Sequence, residues 1–283
     1  MTRRPAGLTV LLATAAGACS FQPGGGAGLD GPTPPRADAG ADAPTSTDDA
    51  GPGPDATSSS ADARPPTCPP ASGLQLCLTF EGLAVGAAPL TIADESSAAR
   101  SLTVSSASIV DDSTRSGKAL ALTGMSRAVT TDIVALGDTA TIEAWVRVDQ
   151  DPLPGQRSGV LDDSSAYSLF YYLDPSATLG RRWRCALGPP FFGPANGAQL
   201  GVWTHLACVC AQGVARLYVD GTEVASGSCD PVTVSRPVAL GADRADDGTT
   251  TDYLTGRLDD IRLWSRALTP AEVCTTAGRA SCP

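Results

Sequence analysis

In several segments of the second half of this chain, apolar residues alternate with other residues, and this period of two excludes a helix in those segments. Within residues 141–148 (TIEAWVRV), one face carries Ile142, Ala144, Val146 and Val148. Residues 206–211, 214–219 and 222–226 are predicted as three further strands. The sequences Gln-Gly and Asp-Gly between them, at 212–213 and 220–221, favour two-residue β-hairpin turns. The pattern therefore predicts antiparallel strands.

Six more segments are predicted as strands, at residues 76–80, 119–122, 128–131, 167–173, 183–187 and 256–264. Only residues 269–273 indicate a helix, since Thr269 can cap it, Pro270 suits its first position and Glu272 completes a capping box. About ten short strands with glycine-rich turns are typical of two packed sheets. The predicted fold class is an all-β, two-sheet antiparallel sandwich.

The composition excludes several kinds of chemistry. Among the 283 residues, 30 are acidic and 20 are Lys or Arg, and the formal net charge of −10 disfavours a nucleic-acid groove. His205 is the single histidine, so a site that needs two histidines cannot form. We interpret His205 as a structural residue rather than a catalytic base.

Residues 1–18 have the features of a secretory signal peptide, with Arg3 and Arg4, an apolar stretch over residues 8–15 and small residues at 16–18. Small residues followed directly by Cys19 resemble the lipobox of bacterial lipoproteins, although Ala16 stands where that family usually has leucine. The resemblance implies a lipid anchor on Cys19 and a place in the cell envelope, on the outer membrane or cell surface. The alternative is an ordinary signal peptide and a secreted protein.

Residues 19–67 are predicted to be Cys19 and a disordered linker, and residues 68–283 the folded domain. After Phe21 the linker has no aromatic residue, and residues 20–67 contain seven aspartates but two arginines. Such a segment buries too little apolar surface to offset the entropy lost on ordering. We interpret it as a spacer.

Six segments of the folded part occur in an order that is similar to a known family. They are 78–82 (LTFEG), 117–124 (GKALALTG), 140–146 (ATIEAWV), 203–207 (WTHLA), 217–221 (LYVDG) and 256–269 (GRLDDIRLWSRALT). Together they resemble the laminin G-like jelly roll of the concanavalin A-like lectin/glucanase superfamily, over about residues 76–273. The resemblance implies the fold but not one function, because this fold occurs in lectins, hydrolases and adhesion modules.

Eight cysteines remain besides Cys19, and an even number in an exported chain predicts four disulfides. The resemblance implies that the first and last strands are antiparallel neighbours, and from this we predict Cys77–Cys274 and Cys68–Cys282. Cys208 and Cys210 share a strand face and cannot easily bond to each other. We assign the remaining pairs as Cys185–Cys208 and Cys210–Cys229. A Cys-x-Cys metal site is the alternative, although it suits a reducing compartment better.

Catalysis is disfavoured. A retaining glucanase needs two carboxylates about 5–5.5 Å apart on one strand face. The five glutamates do not form the Glu-x-Asp-x-x-Glu strand of the related glucanases, and no Gly-x-Ser-x-Gly elbow or phosphate loop occurs. We predict that the protein is not an enzyme.

A structural Ca²⁺ is implied by the resemblance, because such folds often hold one where the first and last strands meet. Asp259 matches the aspartate on the last strand, and Glu81 with the carbonyl of Gly82 lies at the corresponding first-strand position. Carboxylate and carbonyl oxygens suit Ca²⁺. The alternative for Asp259 is a surface salt bridge, for example with Arg262. A second acidic segment, with Asp243 at its start, is interpreted as a solvated turn.

Sugar binding would need aromatic rings on an exposed face or loop. The candidates are Phe191, Phe192, Trp183 and Tyr171, with core packing as the alternative for each. We predict a non-catalytic cell-envelope lipoprotein that binds a glycan or glycoprotein and contacts the membrane only through its anchor. The alternatives are a structural or protein-interaction module without sugar binding, and a glycan hydrolase.

Overall fold

The computed structural model describes residues 68–164, 166–176, 180–188, 191–193, 197–230 and 236–282. The predictions for residues 1–67, including the signal peptide, the anchor at Cys19 and the linker, lie outside the described residues.

The described residues form strands and one helix. The elements are β1 Leu74–Leu78, β2 Gly86–Ala87, β3 Thr91–Ala93, β4 Ser101–Ser105, β5 Ser108–Asp112, β6 Gly117–Leu122, β7 Arg127–Ile133, β8 Ala140–Val148, β9 Arg157–Asp162, β10 Tyr167–Leu173, β11 Arg181–Leu187, β12 Trp203–Ala211, β13 Val214–Val219, β14 Thr222–Ser228, β15 Pro237–Leu240, β16 Asp243–Arg244, β17 Thr250–Thr251, β18 Gly256–Trp264 and α1 Pro270–Thr276.

The strands build two large antiparallel sheets. The nine-stranded sheet has the order β14-β13-β12-β8-β18-β6-β5-β2, and β1 pairs with β18 beside β6. The seven-stranded sheet has the order β11-β10-β9-β15-β7-β4-β3, while β16 and β17 form a separate short pair. This architecture confirms the all-β jelly-roll sandwich expected from the sequence.

The main core lies between the two sheets and explains the alternation that the sequence shows. The four apolar side chains at the even positions of β8 are all fully buried in this core (Ile142, Ala144, Val146 and Val148). Burying an aliphatic side chain of valine or isoleucine size contributes roughly 1.5–3 kcal/mol. A one-residue slip of β8 would turn this face outward, so burial determines the register.

The local turn and capping predictions are confirmed. Gln212-Gly213 and Asp220-Gly221 connect β12 to β13 and β13 to β14, and all four residues have positive φ, as a type I′ turn requires. Helix α1 begins after Thr269, whose side chain accepts a hydrogen bond from the backbone N–H of Glu272. The Glu272 side chain accepts one from the backbone of Thr269, which completes the capping box.

The first and last strands are antiparallel neighbours, as the resemblance implied. Leu76 lies opposite Leu263 and Leu78 opposite Ile261. The N-terminal part of β18 pairs with β6, and the pairing with β8 is irregular between Asp259 and Arg262. Asp260 has a φ of 45°, which marks this irregularity as a local distortion of the strand.

Helix α1 covers the outer face of the nine-stranded sheet, where a second apolar cluster forms. This cluster includes Tyr218, Trp264 and Val273, and Cys77 belongs to it. Polar groups under the helix are satisfied by its last turn, since Trp145 Nε1 donates to the carbonyl of Thr276 at 3.3 Å. Both faces of β8 are therefore buried, one by the opposite sheet and one by the helix.

Two of the predicted disulfides are wrong and two are confirmed. The structure pairs Cys68 with Cys77 and Cys274 with Cys282, so both terminal bridges close short local loops. Although β1 does lie beside β18, α1 extends past β18 toward the β13–β14 turn. A Cβ built on Gly221 would lie 3.1 Å from the Cα of Cys274, which places Cys274 away from β1.

The remaining cysteines follow the sequence prediction. Cys185 pairs with Cys208, and Cys210 pairs with Cys229. Cys208 and Cys210 are both buried and bond to different partners, which argues against a Cys-x-Cys metal site. Four disulfides are typical of proteins from oxidising compartments, such as the cell surface or the extracellular medium.

Candidate functional site

Strand β10 places aromatic residues on both faces of the seven-stranded sheet. Tyr167, Leu169 and Tyr171 point into the main core and are fully buried. Because successive side chains of a strand point to opposite faces, Phe170 and Tyr172 lie on the outer face. Phe170 is buried, with only 2% of its surface exposed, whereas Tyr172 is partly exposed.

A short segment beyond β11 adds a third ring to this outer face. Phe192 forms an isolated antiparallel bridge with Cys185, with N–O distances of 2.9 and 3.0 Å. Phe192 therefore packs toward the core, and its neighbour Phe191 turns to the other side. The Phe191 ring lies 5.3 Å from that of Phe170 at an angle of 57° and stays 46% exposed.

Two arginines from neighbouring strands flank these rings. Arg157 of β9 lies opposite Tyr172 in the register, and Arg184 of β11 lies opposite Phe170. The Arg157 guanidinium carbon lies 4.4 Å from the centroid of Phe170, and that of Arg184 lies 4.2 Å from the centroid of Tyr172. Stacking of this kind is a favourable cation–π arrangement.

These side chains line a cavity of about 250 Å³, which we name the aromatic–arginine pocket. It is lined by Gly155, Gln156, Arg157, Phe170, Tyr172, Arg184, Phe191 and Asp252.

The carboxylates at the β9 side of the pocket hold Arg157 in place. Arg157 Nε donates to Asp252 at 3.0 Å, and Arg157 Nη2 donates to Asp243. Burial alone would lower the pKa of Arg157, but Asp243 and Asp252 outweigh it and hold the pKa above the usual value. The segment that carries Asp252 crosses β9 at Gly159, whose N–H donates to the Asp252 carbonyl at 2.8 Å.

Gly159 is also needed where the segment that leads into β16 crosses β9. A Cβ built on it would lie 2.2 Å from the backbone carbonyl carbon of Ala242, a separation that no side chain can occupy. The sequence reading of Asp243 as part of a solvated turn is corrected here, because Asp243 belongs to β16 and is buried against Arg157.

A further carboxylate, that of Asp162, lies next to Asp243. Burial, together with the neighbouring Asp243 carboxylate, raises the pKa of Asp162 to about 7. The Asp162 side chain accepts hydrogen bonds from Ser168 Oγ and, at 2.7 Å, from the backbone N–H of Arg244. These donors hold the carboxyl group in a fixed position on the outer face of the sheet.

The four ligand-binding residues predicted from the sequence do not form one site in the structure. Phe191 lines the pocket, and Phe192 packs against the main core. Trp183 and Tyr171 are fully buried and contact each other edge to face at 5.4 Å, so they cannot touch a ligand on the surface. The prediction for Trp183 and Tyr171 is therefore corrected.

Seven of the eight lining residues are not among the predicted ligand-binding residues, and these seven include Arg157, Phe170, Tyr172 and Arg184. A signal for Phe170 and Tyr172 was present, since the alternation of β10 separates them from Tyr171. The sequence alone does not say which of the two faces is covered by the other sheet.

The predicted calcium residues already have cationic partners. Asp259 Oδ2 accepts from Arg115 Nε at 2.9 Å, and both side chains are buried. Glu81 is exposed, its Oε1 accepts from the backbone N–H of Lys118 at 2.8 Å, and Lys118 Nζ donates to the Glu81 carbonyl at 2.9 Å. A bound cation would have to compete with these groups, so the arrangement does not fit an open calcium shell.

Within the described part of the chain, no group of three or more His, Cys, Asp or Glu side chains is placed to hold a metal ion. Calcium binding through Asp259, Glu81 and the Gly82 carbonyl stays a prediction. The alternative of a surface salt bridge to Arg262 does not describe Asp259 either, because Arg262 donates to Asp260 at 3.1 Å and all of these groups are buried.

His205 is fully buried and faces Glu143 under the helix. Its Nε2 lies 3.4 Å from Glu143 Oε2, and its ring lies 5.4 Å from that of Trp145. Burial alone would raise the pKa of Glu143, but His205 and Arg262 outweigh it and hold the pKa below its usual value. A histidine in this position is a structural residue, as the sequence indicated.

Among the described residues, no helix is both long and apolar enough to cross a membrane.

Solved structures share this fold at low sequence identity. The binding domain of Paraclostridial Mosquitocidal Protein 1 superposes with a TM-score of 0.54 and 17% identity, over 72% of this chain and 52% of that one. Domain 4 of AbnA, an extracellular arabinanase from Geobacillus stearothermophilus solved with arabinotriose, has a TM-score of 0.52 and 21% identity, over 72% and 98%.

The binding domain of Botulinum Neurotoxin DC, solved with SialylT, has a TM-score of 0.55 and 10% identity, over 72% of this chain and 50% of that one. This chain therefore spans about half the length of the two toxin binding domains. Identities at this level show a shared fold.

A comparison with curated proteins finds no match. A family model described as the concanavalin A-like lectin/glucanases superfamily, Laminin_G_3, matches residues 123–274, which is more than half of the chain. The matched range runs from the start of β7 into α1 and includes β9, β10 and β11, which form the pocket. By its sandwich architecture and this match, the chain belongs to the Laminin_G_3 family of the concanavalin A-like lectin/glucanases superfamily.

Proposed function

We propose that the protein binds a glycan without transforming it, and that the aromatic–arginine pocket is the binding site. The observation that carries the proposal is the convergence of two accessible rings, Tyr172 and Phe191, with two stacked arginines around one cavity that the buried Phe170 also lines. Aromatic rings offer an apolar face on which a sugar ring can pack. Guanidinium groups donate hydrogen bonds to the hydroxyl oxygens around that ring.

The structural relatives support this proposal. One of them is solved with arabinotriose and one with SialylT. Botulinum neurotoxin type C also shares the fold, and its cell entry depends on interaction with two ganglioside molecules. These are properties of those proteins. They make carbohydrate the first ligand class to test here.

Binding without catalysis is favoured by the state of the carboxylates at the pocket. Asp243 and Asp252 both bind the guanidinium of Arg157, so neither is positioned as a free acid or nucleophile. A sialidase from Trypanosoma rangeli also shares the fold, with 33% of its chain covered, so hydrolysis needs a direct assay. We expect no reducing sugar to be released from polysaccharides that the protein binds.

The test of glycan binding is an array probed with the full-length protein, followed by titration calorimetry with the best ligand. Phe191→Ala and Tyr172→Ala should each weaken binding about tenfold or more, as expected for a buried aromatic contact. Leu90→Ala is the matched control, because Leu90 is 80% exposed and does not line the pocket. Absence of binding to any glycan would leave a structural or protein-interaction module as the better interpretation.

We also propose that Cys19 carries a lipid anchor, so that the domain is displayed on the cell envelope at the end of the acidic linker. The disulfides support an exported protein. Cys19→Ser should release the protein from membrane fractions. Mass spectrometry of the wild-type protein should find acyl chains on Cys19. An unmodified Cys19 in protein that is recovered from the medium would favour plain secretion.

A further inference from the structure

Strand β11 carries three arginines whose partners differ. Arg181 Nη2 donates to Asp151 at 2.7 Å, and Arg182 Nη2 lies 3.2 Å from Asp174. Among the residues that the structure describes, Arg184 has no carboxylate partner within salt-bridge distance, and it is the member of the three that lines the aromatic–arginine pocket.

Arg184 is nevertheless held in place. Its guanidinium carbon lies 4.2 Å from the centroid of Tyr172, and its side chain is half-buried. A guanidinium that is stacked on a ring loses less conformational freedom when it binds a ligand than a freely moving one. The position of the charge is therefore set before a ligand arrives.

The two sides of the pocket differ in charge. On the β9 side, Arg157 is balanced by Asp252 and Asp243, which leaves acceptor oxygens but no excess positive charge. On the β11 side, Arg184 provides positive charge. Strands β9 and β11 flank β10 in the sheet, so these two sides are separated by about 10 Å, the length of one or two sugar units.

We propose that the ligand is an acidic glycan and that Arg184 binds the carboxylate of one of its sugar units. This inference rests on the proposed glycan-binding function and specifies its substrate class. A guanidinium matches a carboxylate in a bidentate, charge-assisted pair, which is stronger than a pair of neutral groups. The sugar ring would pack against Phe191, and hydroxyl groups on its other side would donate to Asp252.

The net charge of the protein is unfavourable for binding an acidic ligand. At a formal charge of −10, the surface as a whole repels an acidic polymer, so unspecific attraction cannot supply the preference. Binding of an acidic sugar must then depend on the particular cation at the pocket.

The test compares matched acidic and neutral probes on the full-length protein by titration calorimetry. One pair is oligogalacturonide and its carboxyl-reduced, neutral form, and the second pair is sialyllactose and lactose. A sulfated galactan provides an anion without a carboxylate. We expect the acidic member of at least one carboxylate pair to bind about tenfold or more tightly, and the sulfated probe to bind more weakly than it.

The variants assign the preference to one side chain. Arg184→Gln should remove the preference for the acidic probe, because it lowers the affinity for the acidic probe more than the affinity for its neutral counterpart. Arg184→Lys, which keeps the charge but not the planar fork, should retain part of the preference. Arg127→Gln is the control, because Arg127 lies on β7 of the same sheet and does not line the pocket.

The outcomes separate this inference from the proposed function. Equal binding of acidic and neutral probes would overturn the acidic-ligand inference and leave glycan binding intact, whereas binding of neither would overturn both. A preference that persists in Arg184→Gln would exclude Arg184 as its source, and a preference for the sulfated probe would exclude a carboxylate-specific site. Melting curves identify any variant that fails to fold, and Arg184→Lys then supplies the comparison.

Discussion

Arg115 Nε lies 2.9 Å from Asp259 Oδ2, and the two side chains are only 3% and 1% exposed. Arg115 also donates to Asp260, and its guanidinium carbon lies 3.8 Å from the centroid of Trp145. The arginine comes from the connection between β5 and β6, while both aspartates lie in the distorted part of β18. An ion pair thus joins segments that are distant in the chain at the junction of β1, β6 and β18.

This buried pair should be important for stability. Arg115→Met removes the cation that faces Asp259, and breaking a buried ion pair in this way typically costs about 3–5 kcal/mol. For a domain of this size the melting temperature should fall by roughly 6–20 °C. Urea denaturation of the full-length protein measures the change in the free energy of unfolding.

Arg216→Met is the control for that experiment. Arg216 pairs with Glu223 at 3.5 Å, but the two side chains are 39% and 44% exposed, so the loss should stay below about 1 kcal/mol. Equal losses in the two variants would show that the buried pair has no special role.

Calcium offers a second test at the same place. Because Arg115 already faces Asp259 and Lys118 already binds Glu81, we expect Ca²⁺ to leave the melting temperature of chelator-treated protein unchanged. A ligand that binds only the folded state at a hundredfold excess over Kd would add about 2.7 kcal/mol. A rise in melting temperature that Asp259→Asn abolishes would support the calcium site implied by the family resemblance.

The pH dependence of stability should contain a contribution from Asp162. Its pKa is about 7 in the folded protein, against 3.8 for an unperturbed aspartate, so the folded state binds the proton more tightly. The stabilisation is complete below about pH 4 and is lost as the pH rises toward 7. Its size is about 4 kcal/mol. Asp162→Asn, which resembles the protonated form, should remove this slope.

The variant must be compared with the wild-type protein at each pH, because other groups have the opposite slope. Arg266 lowers the pKa of Glu272 to about 2, for example, so its stabilisation is lost in strong acid. Asp111→Asn, at an exposed position on β5, is the matched control and should leave the slope between pH 4 and 7 unchanged. If Asp162→Asn keeps the wild-type slope, Asp162 does not titrate in this range.

Peptide mapping of the unreduced protein should recover Cys68 joined to Cys77 and Cys274 joined to Cys282. Removing the second bridge by a double alanine substitution should cost about 2–3 kcal/mol, because it closes a loop of 8 residues. Removing Cys185–Cys208, with a separation of 23 residues, should cost more, about 3–4 kcal/mol. Recovery of a Cys77–Cys274 peptide would contradict the structure at the chain ends.

The sequence identifies some residues of the candidate site, but it does not show how they are arranged in space. Phe191 and Phe192 are both candidates in the sequence, and the bridge to Cys185 shows why Phe192 is partly buried against the core while Phe191 is exposed. Trp183 and Tyr171 are candidates as well, but they point into the core. Alternation separates the two faces of β10, yet it does not identify the outer one.

The sequence by itself determined ten of the eighteen strands in the described residues, the two-residue hairpins and the capped helix, because each depends on residues within a few positions of one another. It did not identify the others, which include β9 of the pocket. It also indicated the family, through motifs whose order is preserved along the chain. Only the tertiary structure decided the partner of Asp259, the terminal disulfides and the lining of the pocket. These depend on which segments lie next to each other after folding. Arg115 and Asp259 are 144 positions apart, and no local sequence pattern indicates that their side chains are in contact.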